Sequence, residues 1–90
     1  MLIPVRSSQF ERDVKRAQRR GKDLAKLRLP LTTLIQQVPL PSRYRDHALR
    51  GNWQGYREFQ IESDWLLIYC VRGDELRLVR TGTHADLFDK

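Results

Sequence analysis

Arg57-Glu58-Phe59-Gln60-Ile61-Glu62-Ser63-Asp64-Trp65-Leu66-Leu67-Ile68-Tyr69-Cys70-Val71-Arg72-Gly73-Asp74-Glu75-Leu76-Arg77-Leu78-Val79-Arg80 is the stretch that decides the fold. Arg57, Phe59 and Ile61 alternate with Glu58, Gln60 and Glu62, the period of two that marks a half-buried strand. Trp65 to Val71 is apolar on both faces, as a central strand is. Gly73-Asp74 supplies a hairpin turn, and Leu76, Leu78 and Arg80 share one face of a last strand. The chain from Tyr56 to Thr81 is therefore expected to be an antiparallel meander.

The half before this stretch has the other periodicity. Ser8-Gln9-Phe10-Glu11 has capping-box spacing and opens a helix at Ser8. Phe10, Val14 and Ala17 then form one buried stripe, and Gly21 supplies the stop. Asp23 caps a second helix with Leu24, Leu27, Leu31, Leu34, Ile35 and Val38 on its apolar face. Pro30 interrupts it, because an interior proline removes an amide at a cost of ~3 kcal/mol. A kink, or two short helices in place of one, is expected there. With so short a connection the two helices should form an antiparallel hairpin. Leu2 to Val5 reads as a short strand, Val38 to Ser42 as extended chain, and Tyr44 to Gly55 mostly as loop. Thr83-His84-Ala85-Asp86 is a second capping box that opens a final short helix. A helical half followed by a strand-rich half predicts one α+β domain over residues 1–90.

Composition narrows the class of function. The chain has 17 Lys and Arg against 11 Asp and Glu, a formal net charge of +6. An excess of that size favours a polyanion or an acidic protein as partner. Cys70 is the only cysteine, so neither an internal disulfide nor a cysteine zinc site is expected. Met1-Leu2-Ile3-Pro4 turns charged too soon for a signal peptide, and Trp65 to Val71 is far below the roughly 20 residues of a membrane helix. The expectation is a cytoplasmic protein with no membrane association.

Cleaving RNA without a metal requires a base for the ribose 2′-hydroxyl, an acid for the leaving 5′-oxygen and a cation for the phosphorane charge. His47, Asp64, Arg80 and His84 are the right residue types, at a loop, a turn, a strand end and a helix start. Because neighbouring antiparallel strands run oppositely, Asp64 and Arg80 should meet at one edge of the sheet. Two histidines without a helical i, i+4 ligand pair make no metal site, and no cofactor is expected.

Three ordered motifs carry a family resemblance: Asp46-His47-Ala48-Leu49-Arg50-Gly51-Asn52-Trp53-Gln54-Gly55-Tyr56-Arg57, Asp64-Trp65-Leu66-Leu67-Ile68-Tyr69 and Arg80-Thr81-Gly82-Thr83-His84-Ala85-Asp86-Leu87-Phe88. They are similar to the YafQ branch of the RelE superfamily, toxins of bacterial type II toxin–antitoxin pairs, and the similarity covers nearly the whole chain. The resemblance implies a helical hairpin packed on a twisted antiparallel sheet with a short C-terminal helix. It also implies a ribosome-dependent nuclease that cuts message in the A site of the 70S ribosome. An acidic, DinJ-like antitoxin is implied as partner, with the toxin a monomer when free and part of a hetero-oligomer when neutralised. Carried over by position, His47, Asp64, Arg80, His84 and Phe88 fall in the active site, with Gln60, Trp65 and Arg57 in substrate-binding places.

Within that frame Arg80 stabilises phosphate charge through its planar fork, His84 is the general acid, and Asp64 or His47 is the base. Phe88 stacks on a base or closes the core. One departure stands out: where the family commonly has a further histidine, this chain has Gln60, which cannot carry a proton at neutral pH. Arg12, Lys15, Arg16, Arg19 and Arg20 on the first helix are the expected footprint for ribosomal RNA or the antitoxin. Two other readings compete: a ParE-like toxin that inhibits DNA gyrase by binding, and, last, a plain RNA-binding module.

Overall fold

The computed structural model describes residues 1–88, and its centre is a five-stranded sheet in the order β1-β5-β4-β3-β2. The strands are β1 (Ile3–Arg6), β2 (His47–Ala48), β3 (Arg57–Glu62), β4 (Trp65–Arg72) and β5 (Glu75–Gly82), and the helices α1 (Ser8–Arg19), α2 (Arg28–Ile35) and α3 (His84–Phe88). The meander β3–β4–β5 is antiparallel as expected. β1 joins β5 in parallel, which makes the sheet mixed. Parallel neighbours need a crossover, and here everything from α1 to β4 forms it. β2, paired with β3, falls inside the segment expected to be loop; two residues are too short to leave a periodic signal.

Both faces of β4 are covered, for two different reasons. Trp65, Leu67 and Tyr69 pack with Phe10, Ala17, Leu27, Leu34 and Phe59 under the helical half. Leu66 and Ile68 on the other face pack with Leu87, flanked by Val79 and Phe88. α3 is therefore a cover for the second face, not an appendage. Trp65 is only 1% exposed, and its indole N–H donates to Thr81 Oγ1 at 3.0 Å. The expected substrate contact by Trp65 is thus corrected: a buried, hydrogen-bonded indole is a core group.

The helical half departs from expectation in its details. The N-cap of α1 is Ser7, whose Oγ accepts the Phe10 amide at 2.9 Å and donates to the Val79 carbonyl at 2.9 Å. Ser7 outcompetes Ser8 because its hydroxyl is used twice, and a cap alone is worth ~1 kcal/mol. α1 ends in paired bonds, Gly21 N–H to Gln18 O and Lys22 N–H to Ala17 O, with Gly21 at φ 87°, the left-handed stop its sequence position suggested. The second helix is split as Pro30 implied. A 3₁₀ turn spans Leu24–Leu27 and α2 begins at Arg28, so Pro30 falls in the first turn, where the missing amide has no helical acceptor to lose. α1 packs on β5 and on this turn, and a cleft of about 430 Å³ opens between α1 and the following residues, lined by Phe10, Val14, Leu24, Leu27 and Leu31.

Beyond Leu78 the edge of β5 outruns β1, and the start of α1 takes over its hydrogen bonds. Ser7 N–H reaches Leu78 O at 3.1 Å, Ser7 Oγ reaches Val79 O, and Asp13 Oδ2 accepts the Thr81 amide at 3.1 Å. The Asp13 side chain has 0% exposure. It also takes Arg80 Nε at 2.7 Å and Arg16 Nη2 at 3.2 Å.

Removing one member of such a buried network strands the others. Asp13→Ala is expected to lose about 3–5 kcal/mol of unfolding free energy, measured as a shifted urea midpoint. A loss below about 1 kcal/mol would contradict the assigned role. Two ion-paired clusters predict the acid limb of stability. Lys22 and Lys26 hold the Glu62 carboxyl down to about 2, and hydrogen bonds from Arg20 hold Asp86 well below the usual carboxylate range. Depressed carboxylates contribute above their unfolded value and lose that contribution as pH falls through the folded value. The melting temperature is therefore expected to fall from about pH 4.5 down to about 2, and Glu62→Gln should flatten that fall in a thermal melt series.

Candidate active site

The site is built on one register row. His47 on β2 opposes Glu58 on β3, Glu58 opposes Ile68 on β4, and Ile68 opposes Arg80 on β5. Directly opposed residues share a face, so these four stand side by side on the face that α3 covers. Gln60 follows two residues along β3, opposite Leu66, and so on the same face.

Arg80 reaches this row through a bulge. Leu78 opposes Tyr69 and Arg80 opposes Ile68, leaving Val79 as the extra residue. Without the bulge Arg80 would share the face of Leu76 and Leu78, as its spacing in the sequence suggested; the inserted residue moves it to the other face. Its guanidinium is tied to Asp13 through Nε and Nη2 and is 22% exposed.

α3 brings in the second imidazole. Thr83 N–H donates to Asp86 Oδ2 at 2.9 Å and Asp86 N–H to Thr83 Oγ1 at 3.1 Å, the reciprocal box expected from the sequence. Asp86 is also held by Arg20 Nη1 at 2.7 Å and Arg16 Nη2 at 3.5 Å. A Cβ at Gly82 would lie 2.8 Å from Asp86 Oδ2 and 2.9 Å from Arg16 Nη2, so only glycine lets these groups cross the strand end. Arg16 and Arg20 are thus engaged within the chain, and Arg12 donates to Gln9. Lys15 and Arg19 are the exposed remainder of the expected basic footprint.

The two histidines are held differently. His84 Nδ1 lies 2.6 Å from Asp64 Oδ1, which also accepts the His84 amide at 2.9 Å. These two bonds lower the Asp64 carboxyl from its ordinary value. An ionised carboxylate only accepts, so His84 Nδ1 carries a proton and Nε2 points away from Asp64. His47 Nδ1 lies 2.6 Å from the Arg45 carbonyl; a carbonyl also only accepts, so Nδ1 is again the protonated nitrogen. His47 Nε2 faces Glu58 Oε1 at 3.7 Å.

Glu58 is a residue the sequence reading passed over. It is 5% exposed, burial pushes its carboxyl up from the ordinary glutamate value, and the charges of His47 and His84 act on it in the opposite sense. The signal was in β4: a strand apolar on both faces needs cover on both, so its neighbour could not keep one face in water. Of the remaining expected residues, Phe88 is half-buried against the second cluster with its ring 6.5 Å from that of His84. Arg57 is removed from the site: it opposes Ala48 and Tyr69 on the other face of β3 and pairs with Asp46 at 3.2 Å. Among the described residues no three His, Cys, Asp or Glu side chains converge on a point that could hold a metal ion, and no helix is long and apolar enough to cross a membrane.

Asp64→Asn is expected to lower single-turnover RNA cleavage by about a hundredfold, the lower range for an impaired acid–base group, with the far-UV spectrum unchanged. A loss under about threefold would mean that Asp64 does not govern His84.

Residues 3–89 match a family model described as the bacterial toxin of type II toxin–antitoxin system, YafQ. The chain is 52% identical over 83 residues to the mRNA interferase toxin YafQ of Escherichia coli strain K12, covering 91% of this chain and 90% of that one. Its fold is similar to crystalline YafQ from E. coli strain BL21(DE3), with a TM-score of 0.91 at 47% identity, covering 98% of this chain and 99% of that one. It is likewise similar to a chain of the E. coli DinJ–YafQ complex, with a TM-score of 0.89 at 48% identity over 98% and 99% of the two chains.

Proposed function

The chain belongs to the YafQ family of toxins from bacterial type II toxin–antitoxin systems, and from that premise we propose how it cuts RNA and where. It is an mRNA interferase, an endoribonuclease, and its partner is an antitoxin, as DinJ is in the E. coli complex. The observation that carries the mechanism is the difference between the two imidazoles. Both have Nδ1 committed and Nε2 available, but His84 is held by a carboxylate and His47 by a neutral carbonyl. The ring held by the carboxylate is assigned as proton donor and the ring held by the carbonyl as proton acceptor.

His47 Nε2 is the base that takes the 2′-hydroxyl proton. Asp64 is the orienting anion of His84, since both bonds to its Oδ1 come from that residue. As O2′ attacks phosphorus the P–O5′ bond breaks, and His84 Nε2–H delivers its proton to O5′. The products are a 2′,3′-cyclic phosphate and a 5′-hydroxyl. Arg80 offers its remaining N–H donors to the phosphorane charge. Gln60 is a hydrogen-bonding neighbour on the same face, and the half-buried ring of Phe88 offers an edge for a base to stack. No step requires a metal ion or cofactor. The substrate is message in the ribosomal A site, in the cytoplasm, and a single domain carries the whole activity. Lys15, Arg19 and the net charge of +6 favour the phosphate-rich surroundings.

Primer extension on a defined message in reconstituted translation tests this, with wild type and His84→Ala side by side, with and without ribosomes. Cuts that need both ribosomes and His84 are expected, with His84→Ala lowering the rate by at least about a hundredfold. Cleavage by His84→Ala at the wild-type rate would remove the acid assignment. No cuts in any lane, from protein that still arrests growth, would favour a ParE-like gyrase inhibitor.

A further inference from the structure

α3 covers only part of the face that carries His47, Arg80 and His84. Its Leu87 packs on Leu66 and Ile68, and two residues further along β4 the face is open. A groove of about 510 Å³ crosses it from Tyr56 to β1, lined by Val5, Tyr56, Cys70, Arg72, Arg77 and Val79. Cys70 and Arg72 follow Ile68 at steps of two, and Cys70 opposes Arg77, so the groove floor shares the face of Ile68 and Arg80. Tyr56 packs against the Leu66, Ile68 and Leu87 cluster, with the Trp53 ring 5.4 Å away at 90°. The Arg72 guanidinium lies 5.9 Å from the centre of the Tyr56 ring. An arginine beside a half-buried aromatic is the arrangement on which unstacked bases lie. The charge fits as well: the groove sets two arginines against Glu75, and Glu75 is taken up by Arg77 Nε at 2.9 Å.

We propose that this groove is a subsite for the RNA strand on the 5′ side of the cut, a base lying on Tyr56 and Arg72 and a phosphate meeting Arg77. Its placement rests on the acid–base roles given above. In-line displacement puts the attacking O2′ and the leaving O5′ on opposite sides of phosphorus. His84 is held by Asp64 at the start of β4, so the strand 3′ of the cut lies toward α3. The strand 5′ of the cut then runs the other way along β4, to Cys70 and Arg72. From Ile68 to Cys70 is roughly 7 Å of strand, within the span of one nucleotide. Every base has a face to stack, so the subsite adds affinity without selecting sequence. Arg72 and Arg77 add attraction to the backbone that weakens with salt.

The test titrates the whole chain with models of the two products, followed by NMR at the Tyr56 ring and Arg72 Nε–H. Triadenylate ending in a 2′,3′-cyclic phosphate stands for the 5′ product, and triadenylate with a free 5′-hydroxyl and no terminal phosphate for the 3′ product. The cyclic-phosphate probe is expected to move both signals, and the other probe to leave them in place. Tyr56→Leu should weaken binding of the first probe by at least about fivefold, the lower end for one lost base–aromatic stack, and Tyr56→Phe should restore it. In single-turnover cleavage of ribosome-bound message, the loss in Tyr56→Leu should fall on the half-saturating toxin concentration more than on the saturated rate. Signals unmoved by the cyclic-phosphate probe would overturn the proposal. So would equal shifts from its abasic counterpart, which has no base to stack. Tighter binding of hexaglutamate at the same signals would assign the groove to an acidic protein instead. A loss in Tyr56→Leu that Tyr56→Phe does not restore, and that tracks a lower melting temperature, would make Tyr56 structural only. His84→Ala accompanies the series. If it is inactive while the groove is silent, the subsite alone fails; if it cleaves like wild type while the groove still binds the probe, the acid–base reading fails instead.

Discussion

The carboxylate of Asp13 sits where a strand edge, a helix and the Arg80 guanidinium meet, and each of the three depends on it. β5 needs a partner past Leu78, where β1 has ended, and Asp13 accepts the Thr81 amide there. Arg80 needs a counter-charge that fixes its long side chain, and Arg16 needs an anchor on α1 from which to reach Asp86. An uncovered edge amide and an unpaired Arg80 guanidinium would replace this arrangement if the carboxylate were absent, with Arg16 left to Asp86. Through Arg16 and Asp86 the same constraint extends to α3, and hence to the backbone that presents His84.

The sheet then separates stability from chemistry. One face carries the larger core beneath the helical half. The other has a small apolar patch of Leu66, Ile68 and Leu87, around which His47, Glu58, Arg80 and His84 are arranged. Ordered strands set the row, and the bulge at Val79 is the single irregularity that moves Arg80 into it. Active-site groups mounted on strands and a capped helix keep their geometry better than groups on loops. The exception is His47, on a two-residue strand at the sheet's edge, whose ring is fixed instead by the neighbouring Arg45 carbonyl.

Much of this was legible in the chain. The meander followed from period-two alternation and from the Gly73-Asp74 turn, α3 from a reciprocal capping box, and the break near Pro30 from the chemistry of proline. His47, Asp64, Arg80 and His84 were legible as residue types and as family positions. What was hidden depends on contacts remote in sequence. The bulge at Val79 reverses the face of Arg80 without any local mark, since Leu-Val-Arg reads as plain alternation. The parallel docking of β1 is decided by residues more than seventy positions away. Glu58 looked like the wet side of a strand because its cover, α3, lies far downstream. Arg16 and Arg20 looked free because Asp86 does too, and Trp65 looked available because its acceptor, Thr81, belongs to another strand.

The pairing of β1 with β5 also has a temporal side. Ile3 opposes Glu75, Ser7 bonds to Val79 and Asp13 to Thr81, so the N-terminal strand and helix are synthesised long before anything they hold exists. At elongation rates of about 5–20 residues per second, α1 waits several seconds with a charged carboxylate and an unpaired strand. Contacts of such long sequence separation also make folding slow. A growing chain therefore cannot bring His47, Glu58, Arg80 and His84 onto one face until β5 and α3 have been made and packed against α1. The order of the elements along the chain thus defers the assembly of that face to the end of synthesis.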